Sequence, residues 1–168
     1  MRCIQHDKIL ILIGLLLFGL SSAQAKEANV DTRFSGVLIQ APSCTIEGNS
    51  TPILVLFGNN VISTQVNGRN YMQNIDYKLN CSSNSAAGMR FQIKGQAMQH
   101  AGRWVLDAGN NGLGIALYRD SVQMNPNQWY SFTFPRLPQL TAAPIKRDNA
   151  NLSLGSFGVT STLIVEYQ

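Results

Sequence analysis

After residue 25, apolar residues recur in short alternating runs separated by Gly, Asn, Ser and Pro. No sustained i, i+3, i+4, i+7 apolar pattern appears, so the periodicity predicts strands and no helix. Residues 28–41 alternate, with Val30, Thr32, Phe34, Gly36 and Leu38 on one side and Asn29, Asp31, Arg33, Ser35 and Val37 on the other. Period two sends alternate side chains to opposite faces. Ala41-Pro42-Ser43 breaks this run just before Cys44. Ile53 to Phe57 is continuously apolar, which reads as a strand buried on both faces or a short edge piece. Tyr71 to Cys81 alternates, with Tyr71, Ile75, Tyr77, Leu79 and Cys81 sharing a face.

Further on, Met89, Phe91 and Ile93 alternate with charged and amide residues and predict a half-buried strand. Leu113, Ile115 and Leu117 form one face of a further strand, after the Asn/Gly loop 108–112. Tyr130, Phe132 and Phe134 form the next. Pro135 and Pro138 demote the adjoining stretch to an edge or loop, and Leu140 to Ile145 reads as a weaker strand. The last strand runs from Val159 to Gln168, with Ser161, Leu163, Val165 and Tyr167 on one face. About eight strands with turns every 8–12 residues predict an all-β sandwich in one domain.

The first 25 residues obey a different rule. Arg2 and Lys8 precede a 12-residue apolar run, Ile9 to Leu20, and then Ala23-Gln24-Ala25. This three-part pattern is a secretory signal peptide (1–25) cleaved before Lys26. Twelve apolar residues fall short of the roughly 20 that span a bilayer. No later stretch is apolar enough either, which predicts no membrane span in the mature chain, residues 26–168. Losing Arg2, Lys8 and Asp7 lowers the formal charge from +4 to +3. The remaining basic residues are scattered, which argues against a nucleic-acid partner. Cys3 leaves with the signal, and an even pair in an exported chain, Cys44 and Cys81, reads as one disulfide.

Catalytic chemistry finds little material. The mature chain has one histidine, His100, in a polar stretch. No cluster of Cys, His and carboxylates suggests zinc, calcium or a paired-acid site. Gly109 to Gly114 is followed by a strand-like run where a dinucleotide loop needs a helix, so it reads as a hairpin. These absences predict no enzyme and no cofactor. Trp104 and Trp129 could stack on a sugar, although aromatics at such positions are commonly core or sheet surface.

Several motifs in order carry a resemblance. The alternating N-terminal run enters F-x-G-x-x-x-x-A-P-x-C, from Phe34 to Cys44. A second cysteine comes 37 residues later. Gly112 to Tyr118 reads GLGIALY, Gly155 stands fourteenth from the end, and Tyr167 is penultimate. Over residues 28–168 the chain resembles subunits of chaperone–usher pili, similar to minor subunits of P and type 1 pili. The resemblance implies an incomplete immunoglobulin-like β-sandwich with one disulfide, completed by a strand donated from outside. It makes residues 26–38 an N-terminal donor extension of a 26–168 pilin domain. Val30, Thr32, Phe34, Gly36 and Leu38 would fill a neighbour's groove, Gly36 being the small residue for a shallow position. Gly155, Leu163, Val165 and Tyr167 would form the groove edge that a chaperone reads. The implied partners are neighbouring pilin subunits, a periplasmic chaperone and an outer-membrane usher. The implied destination is the fimbrium, reached through the periplasm. A receptor-binding tip module and a complete periplasmic β-sandwich remain as alternatives.

Overall fold

The computed structural model describes residues 29–38, 43–48, 52–82 and 87–168. The expected signal segment, the Ala41-Pro42 break and residues 83–86 of the polar loop lie outside the described residues. The chain divides into two units, Met1–Leu38 and Ile39–Gln168. In the first, residues 29–38 carry no regular secondary structure and are all exposed.

In the second unit the described residues form eleven strands and one short 3-10 turn, Ser63–Gln65. β1 (Cys44–Gly48) pairs antiparallel with β3 (Tyr77–Cys81), and the register sets Cys44 directly opposite Cys81. The two are joined as a disulfide. A six-stranded sheet runs β2 (Gln73–Asn74), β10 (Leu140–Lys146), β7 (Leu113–Arg119), β6 (Arg103–Asn110) and β5 (Ala97–His100), with β8 (Val122–Met124) also on β7. A three-stranded sheet runs β11 (Thr162–Tyr167), β4 (Ala87–Lys94) and β9 (Tyr130–Phe134). The core joins the sheets: Phe91 and Ile93 of β4 pack with Leu106, Leu113, Ile115 and Leu140 of the larger sheet. Phe91 is 1% exposed, and the alternation predicted for β4 and β9 holds.

Three expectations change. The run from Tyr71 to Cys81 is not one strand. Tyr71 adopts a positive φ in a turn, and β2 and β3 are separate pieces. Residues 53–57 do not form a strand buried on both faces. They alternate between half-buried and exposed, outside any assigned ladder. β7 presents the expected face of Leu113, Ile115 and Leu117 and is covered on the other as well, since Leu113 to Tyr118 are all buried. Its second face belongs to a smaller cluster with Met98, Val105, Ala143 and Ile145. That face needs Gly114: a Cβ there would sit 2.6 Å from Val105 Cγ2 and 3.0 Å from the Leu106 carbonyl oxygen.

The third change concerns β10, which is a central strand buried from Leu140 to Ile145, not a weak one. It tolerates Pro144 for a specific reason. The Gly68 N–H donates to the Pro144 carbonyl at 2.9 Å, so the missing proline N–H points to the side where β10 has few partners. Tyr118 fixes the covering loop by donating to the Gly68 carbonyl. Burial pushes the Tyr118 phenol above its ordinary range, with Arg69 and Arg103 pulling the other way.

Candidate functional site

β11 occupies one edge of the three-stranded sheet. The Gln168 N–H donates to the Gly88 carbonyl at 3.0 Å. Backbone direction alternates along an antiparallel strand, so residues 162, 164, 166 and 168 face β4. The N–H and C=O groups of Leu163, Val165 and Tyr167 therefore point to the open edge. Among the described residues no strand pairs with them. Their side chains turn inward: Leu163 and Val165 are half-buried against the main core.

The same unit holds a groove of about 740 Å³. One wall is the 53–61 segment, whose alternation sends Val55, Phe57 and Val61 inward. The other is the approach to β11, with Leu152 and Phe157. Val66 and Leu113 lie deep between them. Phe57 and Phe157 stack across the groove with ring centroids 6.1 Å apart. Val55, Phe57, Val61, Leu152 and Phe157 are apolar yet only half covered, with serine and asparagine side chains between them. Leu56, on its rim, is 75% exposed and Leu154 is 92% exposed. A contiguous apolar surface of this kind marks a site for another chain segment.

The second wall is tied to the end of β6, at residues that line the groove themselves. Asn110 Nδ2 donates to the Ser153 carbonyl at 2.9 Å, and the Ser153 N–H returns a bond to Asn110 Oδ1 at 3.0 Å. Gly155 comes next at φ 132°, a conformation that L side chains rarely adopt. It lets the wall bend before Phe157 points inward.

The end of β11 is tied to the disulfide. The Tyr167 hydroxyl donates to Cys44 Sγ at 3.0 Å. Removing that hydroxyl tests the tie: Tyr167→Phe should lower the urea midpoint by the equivalent of about 1 kcal/mol, with secondary structure unchanged by circular dichroism. Outside the sheet, Glu166 pairs with Arg90, which also lies 4.6 Å over the Trp129 ring. The ion pair is solvent-exposed and adds little stability.

The expected site residues are thus distributed over the two units. Gly155 lines the groove, Leu163 and Val165 pack on the main core from the edge strand β11, and Tyr167 serves the disulfide. Val30, Thr32, Phe34, Gly36 and Leu38 belong to the first unit and are exposed there, Phe34 at 91%. The sequence pattern did not reveal Phe57, Val61, Leu152 and Phe157. The signal for Phe57 is masked because all five residues from Ile53 to Phe57 are apolar. Among the described residues no group of three or more His, Cys, Asp or Glu could hold a metal ion.

An all-β sandwich with open sheets, one disulfide and an uncovered edge strand defines the class: an incomplete immunoglobulin-like domain. Known proteins agree. The family model described as fimbrial protein matches residues 32–168. The chain is 33% identical over 171 aligned positions to the uncharacterized fimbrial-like protein YfcR of Escherichia coli (strain K12), covering 98% of both. It is 30% identical over 159 positions to YfcQ of the same organism, covering 92% of this chain and 97% of that one. Among solved structures, the P pilus rod subunit PapA superposes with a TM-score of 0.57 at 18% identity, over 82% of this chain and all of that one. The P pilus adaptor subunit PapF superposes with a TM-score of 0.54 at 23% identity, over 76% and 97%. The chain belongs to the fimbrial protein family.

Proposed function

We propose that this chain is a non-catalytic structural subunit of a surface pilus that polymerises by donor-strand exchange and so supports cell adhesion. Residues 1–25 direct export and are removed. Residues 26–38 form the donor extension, and the rest of the domain, up to residue 168, is the acceptor. A periplasmic chaperone fills the groove beside β11 first. At the outer-membrane usher, the extension of the next subunit replaces it.

One observation carries this reading. A partly apolar groove and a strand whose outward backbone groups have no partner among the described residues pack on the same core, and the same chain carries an exposed alternating apolar stretch. β-Augmentation uses those two features: backbone bonds supply affinity, and alternate side chains fill pockets. On the donor side, Val30, Thr32, Phe34, Gly36 and Leu38 present the inward set. Phe34 brings the largest apolar area. Thr32 brings a hydroxyl, which makes its contact the weakest of the five.

The test moves a copy of residues 28–40 behind Gln168 through a flexible Gly/Ser linker. The expected product is a soluble monomer with cooperative urea unfolding, whereas the parent aggregates without a chaperone. Phe34→Asp in the moved copy should reverse the gain. A parent chain that is already a stable, cooperative monomer and gains nothing would overturn the reading.

A further inference from the structure

The three-stranded sheet has a second edge, β9, which also pairs only with β4 among the described residues. This edge differs from β11 in what covers it. Arg119, the last residue of β7, reaches across from the opposite sheet. Its Nη1 donates to the Ser131 carbonyl at 3.4 Å, and its Cζ lies 5.4 Å from the Tyr130 ring centroid. The Arg136 N–H donates to the Thr133 carbonyl at 3.0 Å. Residues 131 and 133 share one backbone direction along an antiparallel strand. The two carbonyls on that side of β9 are therefore both in use. The Asn125 N–H donates to the Tyr130 hydroxyl at 2.7 Å and ties β9 to the end of β8.

The space beside β9 is also unlike the groove. It is a cleft of about 850 Å³ with Arg119, Asp120 and Arg136 in its lining. The Asp120 carboxylate is held in place by the Gln139 N–H at 2.9 Å. An apolar strand entering here would have to displace the Arg119 contacts and strip water from charged groups, which is costly without new partners. Unprotected edges invite pairing, and inward-pointing charge is a common block.

We propose that Arg119, supported by Asp120 and Arg136, closes the β9 side of the sandwich to strand addition, so that a donated strand from another subunit pairs only at β11. The identity of that strand rests on the function proposed above. The closure of β9 does not.

The experiment uses sedimentation velocity with residue-resolved hydrogen exchange, on the full chain and on the chain completed by the moved 28–40 copy. With Arg119 present, the completed chain should stay monomeric. Arg119→Ala should associate at about tenfold lower concentration, the scale of one cation–π contact plus one hydrogen bond. The associated species should gain protection at the Ser131 and Thr133 amides. Arg119→Lys keeps charge at the edge and should fall between the two. If Arg119→Ala does not fold, Arg119→Gln removes the charge and stack, keeps a donor toward Ser131 and carries the same comparison. A folded variant that remains monomeric at the parent's highest concentration overturns the proposal. So does association without new protection at Ser131 and Thr133. If the moved strand fails to stabilise the chain, the groove reading has failed instead, and the β9 comparison is read in the full chain.

Discussion

Gly36→Arg is expected to abolish donation while leaving the acceptor half of the chain intact. A side chain built at Gly36 meets no heavy atom within 4 Å, so the substitution does not disturb the unit that carries it. In a neighbour's groove the situation reverses. The lining there mixes valine, leucine and phenylalanine with serine and asparagine and includes no carboxylate, so a guanidinium pressed into it has no ion-pair partner. A penalty of several kcal/mol for an unpaired buried ion corresponds to a loss of strand affinity of at least about 100-fold. The measurement is exchange of a synthetic 28–40 peptide into chaperone-bound subunit. The Arg-substituted peptide should fail to exchange, while Gly36→Arg subunit should still accept the natural peptide. Equal exchange by both peptides would show that Gly36 does not enter the groove.

Removing the disulfide should have the largest effect on stability. Cys44 and Cys81 are separated by 37 residues and close the β1–β3 ladder at its end. In the chain-entropy account a loop of that size contributes about 4 kcal/mol. The double substitution Cys44→Ser and Cys81→Ser should therefore shift the urea midpoint of the strand-completed chain by most of that amount. Tyr167 would also lose its sulfur acceptor, so the loss at the end of β11 should exceed that of Tyr167→Phe alone. A midpoint change below that of Tyr167→Phe would mean that the bridge does not constrain the unfolded chain as the loop length requires.

The fold was legible where one face of a strand meets the core and the other meets water. Met89, Phe91 and Ile93 alternate cleanly because β4 has one dry face, and the same holds for Tyr130, Phe132 and Phe134. It was hidden where both faces are covered. Around Ala116 and Ala143 small residues do the packing, and period-two contrast disappears. Leu140 to Ile145 read as a weaker strand for the same reason, and nothing in the sequence shows on which side of β10 the missing Pro144 N–H lies. The candidate site was half legible. Leu163 and Val165 of the edge strand emerge from the terminal alternation. The groove does not, because the continuous run from Ile53 to Phe57 conceals which residues turn inward. The closing of the β9 edge was invisible. It depends on Arg119 crossing from one sheet to the other, a contact between residues 12 apart in sequence whose strands lie in different layers.

The pairing of β11 with β4, from Thr162 opposite Lys94 to Tyr167 opposite Met89, has a mechanical consequence. A strand seated along β11 would be pulled parallel to its own axis when the fibre is stretched. Its backbone bonds would then be loaded together in shear, not peeled one at a time. Tension would pass through β11 into β4, and through the Tyr167 hydroxyl toward a covalent cross-link at Cys44. Pulling such a fibre lengthwise should thus require far more force than lifting the same strand out sideways.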